Sequence, residues 1–256
     1  ITGGGSLEKV GSGALTLSGS STFTGGTTLS AGTLIVSNAN ALGSSSGPLT
    51  ISGGTLDLRT SVSVGALSGS GGQILAGAAG ARNITSTVAS GISVYSGSIQ
   101  DGVGTVSLTK AAAGVLALSG GNTYTGTTTV TAGALQVGSG GSGQTGSGAV
   151  TAQTGSTILG TGVVRGNTFD LQNGSTLRPG DSVADSSHGT LTFTPVTASG
   201  STHSIQGSVI LGISAATATD ATFGGNAIGS AGYHAFVDAV TGVGSHDRLV
   251  FTNPTS

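Results

Sequence analysis

Apolar residues recur along the chain in pairs separated by one residue. They are Leu15 and Leu17, Leu34 and Val36, Leu49 and Ile51, Leu56 and Leu58, Leu116 and Leu118, Leu135 and Val137, and Leu191 and Phe193. A period of two places both members of a pair on one side of a β-strand, so each pair predicts a short strand with one buried face. Gly or Ser follows five of the seven pairs, three times as Ser-Gly, and these residues tolerate turn dihedrals. No segment sustains the 3.6-residue period of a helix, and Gly interrupts every window of about ten residues. The pattern therefore predicts an all-β chain of many short strands.

Two stretches of this pattern are copies. Residues 15–36 read LTLSGSSTFTGGTTLSAGTLIV and residues 116–137 read LALSGGNTYTGTTTVTAGALQV, identical at 13 of 22 positions and offset by 101 residues. Upstream, Leu7, Lys9 and Gly13 align with Leu108, Lys110 and Gly114. In a sandwich, the inward faces of two sheets must complement each other, and copying a long segment serves nothing. In a parallel solenoid each coil stacks on its predecessor, so like residues pile on like and repetition is favoured. The copies thus predict a parallel β-solenoid; roughly 20–25 residues per coil and about 4.8 Å per rung give a rod of roughly 50–60 Å.

Composition narrows what such a rod can do. The chain has 256 residues, 50 of them Gly, with 6% charged and 4% aromatic side chains and a net charge of −2. A mean hydropathy of +0.29 is too apolar for a solvated coil and points to small apolar rungs instead of a large aromatic core. The seven basic residues are scattered at Lys9, Arg59, Arg82, Lys110, Arg165, Arg178 and Arg248. Nothing there matches a run of phosphates or an anionic lipid surface, so neither nucleic acid nor membrane is an expected partner. No apolar run reaches the roughly 18 residues of a membrane helix. Cysteine is absent, which excludes disulfides and thiolate metal sites. The chain begins at Ile1 without a start methionine or a signal-peptide pattern and ends just after a strand-like run at Phe251, so a fragment of a longer protein is expected.

The second copy carries a motif. Leu108-Thr109-Lys110, Gly114, Leu116-Ala117-Leu118-Ser119-Gly120, Asn122-Thr123-Tyr124-Thr125-Gly126 and Ala132-Gly133-Ala134-Leu135-Gln136-Val137 together resemble the autotransporter passenger-associated β-strand repeat. The first copy departs from that pattern at Ser21 and Phe23, the second at Thr127. Gly174 to Ser182 resembles the Pro-Gly element that follows such repeats, and Asp247-Arg248-Leu249-Val250 resembles a D-x-L-V strand found further along such passengers. The resemblance implies a right-handed parallel β-helix, exported through the outer membrane and displayed on or released from a Gram-negative cell. It implies a single passenger fragment over 1–256, with clear repeats at 7–58 and 108–164 and looser coils or loops at 196–245. The C-terminal translocator barrel of the family is not in this chain, and no direct membrane insertion by the chain is expected. The expected function is that of an adhesin, a virulence factor binding host extracellular-matrix protein, a host cell receptor or other bacteria, including self-association between passengers. A non-binding stalk presenting a separate enzymatic domain is the alternative.

No enzymatic activity, cofactor or metal is expected. Ser182, Asp185 and His188 lie close in sequence beside Asp181, but their spacing fits no metal-ligand pattern and all are ordinary loop formers. His234 with Asp238 and His246 with Asp247 read the same way. Glu8 is the only glutamate, and Asp57, Asp101 and Asp170 are dispersed, giving no carboxylate pair for glycoside cleavage or a polysaccharide lyase. Residues 138–143 match G-x-G-x-x-G without a helix to follow, and Gly224-Gly225 lacks the recurrent Asp of calcium-binding coils. Thr22-Phe23-Thr24 and Thr123-Tyr124-Thr125 place Thr at strand spacing, as in surfaces that order water, but the triplets lie too far apart for a continuous array. Lys9 and Lys110 share the repeat register and read as structural, with the stem packed on a rung and the ammonium in water. Loops 138–148 and 181–189 are the expected places to look for binding.

Overall fold

The computed structural model describes residues 1–139, 142–166, 168–181, 190–194, 202–206, 208–214, 235–240 and 248–251. They build a parallel β-solenoid of about 8 turns without a helix, as the copied segments predict. The chain winds repeatedly over three faces.

The first face holds Leu7–Lys9, Thr27–Leu29, Leu49–Ile51 and Leu67–Ser68 in parallel order. Gly69 N donates to Val94 O at 3.0 Å and Ser96 N to Gly69 O at 2.8 Å, which carries the face on into Ile92–Tyr95. Val115–Leu118, Ala134–Val137, Thr157–Gly160 and Thr176–Pro179 follow. The second face holds Ala14–Leu17, Thr33–Val36, Thr55–Leu58, Gln73–Leu75 and Ser98–Ile99. It continues through non-strand segments, with Thr123 N on Ile99 O at 2.9 Å and Thr145 N on Val163 O at 3.0 Å, to Val163–Arg165 and Thr190–Thr194. The third begins as turns around Phe23 and Gly43, where Ser44 N donates to Phe23 O at 2.8 Å. It then becomes regular in Val62–Val64, Ala81–Ser86, Thr105–Lys110, Thr128–Val130, Val150–Ala152, Thr168–Leu171 and Thr202–Ile205.

The lumen is filled by the predicted pairs stacked rung on rung. Leu34, Leu56 and Ile74 align on the second face, and Leu116, Leu135, Ile158 and Leu177 on the first, all fully buried. Each such side chain contributes about 1.5–3 kcal/mol by leaving water, the main driving force in a chain so poor in aromatics. Leu15, in contrast, is 36% exposed on the first rung of the second face, which has a neighbour on one side alone.

The two sequence copies do not lie on the same faces. In the first, Leu7–Lys9 is on the first face and Ala14–Leu17 on the second. In the second, Thr105–Lys110 is on the third face and Val115–Leu118 on the first. A repeat coil consists of two strands and a hydrogen-bonded turn. The coils between the copies carry strands on all three faces, Val62–Val64 with Leu67–Ser68 and Gln73–Leu75, then Ala81–Ser86 with Ile92–Tyr95 and Ser98–Ile99. These coils advance the motif by two-thirds of a turn beyond a whole number of coils.

One corner of the second copy is strained. Gly11 of the first copy has φ +72°, and its counterpart Ala112 has φ +64°, the single positive φ outside glycine among the described residues. The left-handed region costs a non-glycine residue about 1–2 kcal/mol, while glycine gives back part of that through the greater freedom of its unfolded chain. We expect Ala112→Gly to stabilise the rod by about 0.5–1 kcal/mol, read as a higher urea midpoint at unchanged slope; a lower midpoint would place the strain elsewhere.

Candidate functional site

The polar chemistry of this chain divides into groups that hold coils together and groups that face solvent, and the two lysines belong to the first. Lys9 and Lys110 follow Leu7 and Leu108 by two residues, so strand alternation turns them inward with the leucines. Lys110 Nζ donates to the carbonyls of Ala111, Ala112 and Ala132 at 2.8, 2.8 and 3.2 Å. Lys9 Nζ donates to those of Val10, Gly11 and Ala31 at 2.8, 2.7 and 3.0 Å. Exposure is 0% for Lys110 and 7% for Lys9. The expectation of an ammonium in water is therefore corrected: each ammonium caps the carbonyls of its own corner and ties them to the next coil. The structural role stands, and no lysine is left to meet a ligand. Burial lowers the Lys110 pKa to about 8.

Asn122 plays the same part with an amide. Fully buried, it accepts from Ile99 N at 2.8 Å and donates to Gly120 O and Gln144 O at 3.3 and 2.7 Å. It thus joins the coil before it to the coil after it. Beside it the buried Tyr124 hydroxyl meets Thr128 Oγ1 at 2.6 Å inside the lumen, and burial raises the Tyr124 pKa. In the first copy Phe23 has no hydroxyl, and Thr27 Oγ1 turns to Leu42 O at 3.1 Å instead. Asp57 accepts from Gly77 N at 2.8 Å and is paired with Arg59 at 2.8 Å; the carboxylate raises the Arg59 pKa, first through its hydrogen bond and then through its charge. Asp101 accepts from Val106 N, Thr125 N and Thr125 Oγ1 at 2.8, 3.1 and 2.6 Å. No buried side-chain polar atom among the described residues lacks a partner.

The outward positions of the third face carry a run of hydroxyls among the described residues. On the third face Ser63, Thr85, Thr109, Thr129 and Thr151 stand in register on consecutive rungs, followed by Asp170. Asn83 beside this column donates to Thr85 Oγ1 at 2.8 Å and accepts from Thr109 Oγ1 at 3.2 Å. A continuous hydroxyl column therefore exists, contrary to the expectation of none. It is not built from the Thr-rich triplets: Thr22 and Thr24 sit on the third face, Thr123 and Thr125 on the second, because the copies are rotated. The column was missed because its residues come from strands without a shared motif. On the first face Ile92 and Val94 are 63% and 44% exposed, next in register to Val115 and Ala117, which are buried.

Of the residues singled out for chemistry, those that the structure describes do not converge. Ser182, Asp185, His188, His234, His246, Asp247 and the Gly224-Gly225 pair lie outside the described residues, as does the side chain of Asp238 and most of 196–245. Asp181 accepts from Thr161 Oγ1 at 2.9 Å and from Ser139 Oγ at 3.4 Å. Glu8 accepts from Ser30 Oγ at 3.0 Å, and Asp170 from Gln172 Nε2 at 3.3 Å. Within the G-x-G-x-x-G stretch, Ser139 pairs antiparallel with Ser142. Among the described residues no three of His, Asp and Glu group as metal ligands would.

Against known proteins, residues 7–36 and 108–137 match the model of the passenger-associated-transport-repeat family. These bounds cover both copies and include each inward lysine. No curated protein and no solved structure matches the chain.

Proposed function

We propose that this chain, an autotransporter passenger carrying passenger-associated transport repeats, is a surface-displayed adhesin. Host matrix, host cells or neighbouring bacteria are the partners this reading assigns, and export through the outer membrane is the route. The observation that carries it is the division of polar groups. Lys9, Lys110, Asn122, Asp57 and Asp101 are held by the backbone of the coils, whereas Thr85, Thr109, Thr129 and Thr151 form a neutral column on the outside. A stiff rod that repeats one contact on successive rungs gains avidity by presenting many weak contacts at once.

The test is binding of the purified chain to immobilised matrix proteins and to cultured cells, beside a folded solenoid control. Saturable binding is expected, weakened by Thr109→Lys with Thr129→Lys on the third face and unchanged by Thr28→Lys on the first. Absence of binding by well-folded chain would make it a stalk, and bacteria lacking the passenger that adhere normally would count equally against an adhesin.

A further inference from the structure

We infer that Asn173 is a modification site, converted spontaneously to aspartate and isoaspartate at the exposed turn between Thr168–Leu171 and Thr176–Pro179. Asn173 is the one asparagine of the sequence followed by glycine. Ser175 N donates to Gln172 O at 3.0 Å across the turn, and Gly174 has φ +79°, so Asn173 and Gly174 are the two central residues of a tight reversal. Both are exposed. The turn is held by carbonyls: Thr154 Oγ1 donates to Asn173 O at 2.8 Å and Gly155 N to Gly174 O at 2.9 Å. Neither the Asn173 amide nor the Gly174 N–H has a partner among the hydrogen bonds of the described residues.

Those two free groups are the electrophile and the nucleophile of the reaction. Gly174 N attacks Asn173 Cγ; the N–Cγ bond forms, the Cγ–Nδ2 bond breaks, and ammonia leaves with the proton lost by the backbone nitrogen. Water then opens the resulting succinimide. Attack at Cγ returns the α-linked chain as aspartate, and attack at the main-chain carbonyl leaves the chain running through Cβ as isoaspartate. No electrons are exchanged and water is the sole co-reactant. Glycine favours the step because no Cβ shields its nitrogen.

The other described asparagines are guarded. Asn122 is fully buried with its amide bonded on both sides. Asn83 bonds Thr85 and Thr109 within a strand. Asn38 accepts from Asn40 N, and the nitrogen after Asn40 is committed to Asn38 O at 3.0 Å. Either product adds one negative charge to a chain of net charge −2, and isoaspartate also lengthens the corner that Thr154 and Gly155 clamp.

The experiment is incubation of the folded chain in mildly alkaline buffer, followed by proteolysis, mass spectrometry and isoaspartate-specific methylation. The peptide containing Asn173 is expected to gain the mass of OH replacing NH2, in two isomers, at least about tenfold faster than the Asn40 peptide, since alanine screens the attacking nitrogen there. A folded Asn173 peptide that stays intact while the urea-unfolded chain is modified would overturn the inference, as would equal rates at Asn173 and Asn40.

Discussion

Asn122→Ala is expected to remove about 3–5 kcal/mol from the stability of the coils it joins, since it strands three polar partners at once. Ile99 N loses its acceptor, and Gly120 O and Gln144 O lose their donors, around a side chain that is itself fully buried. Each buried group left unmet costs about 1–3 kcal/mol, and the lost side-chain volume adds to that. Because coils interact with their neighbours, the damage should centre on Ile99 and Gln144 and fade along the rod. The readouts are a lower urea midpoint and faster hydrogen exchange at the Ile99 amide; unchanged exchange there would show that the amide bridge contributes little. Asn122→Asp keeps the shape and the acceptor for Ile99 N but turns a carboxylate toward two carbonyls. The folded state therefore raises the pKa of the new carboxyl above its unfolded value, and the aspartate variant should recover stability as pH falls through that raised pKa. The first copy has Ser21 at this position, also buried.

The solenoid was legible because its two signals agree: period-two apolar pairs, and a copied segment with no core of its own. Leu116, Leu135, Ile158 and Leu177 stack as those signals require. The rotation of the copies was not legible. Sequence spacing counts residues, whereas the face a motif occupies depends on how many strands each intervening coil carries, and Leu67–Ser68 and Ser98–Ile99 are two-residue strands without a periodic signature. Hence the hydroxyl column of Thr85, Thr109, Thr129 and Thr151 was invisible from the Thr-rich triplets. The lysines were misread for a different reason. Alternation placed Lys110 in phase with Val106 and Leu108, but a charge is costly inside unless paired. Among the described residues no counter-charge pairs with it; the pairing comes from three backbone carbonyls, groups every sequence has and none displays.

Lys110→Met should cost about 3 kcal/mol, as the stem survives and three carbonyls lose charge-assisted donors. Lys9→Met should cost less, because Lys9 is 7% exposed and water can reach the carbonyls it leaves. The pH dependence separates the two forces acting on the Lys110 ammonium. In the unfolded chain the amine keeps its proton up to about 10.4, whereas burial lowers the folded pKa to about 8. Between these values the unfolded chain binds more protons, so stability should rise with pH across that window. The cradle opposes the rise: an ammonium has a proton for each of three carbonyls, and a neutral amine has two. Urea midpoints of the native chain and of Lys110→Met, measured from neutral pH to pH 10, decide the balance. A native curve that climbs relative to the variant means that burial governs the lysine. A flat or falling difference means that the carbonyls hold the charge, and that the buried lysine of this repeat is a fixed cation closing each corner of the rod.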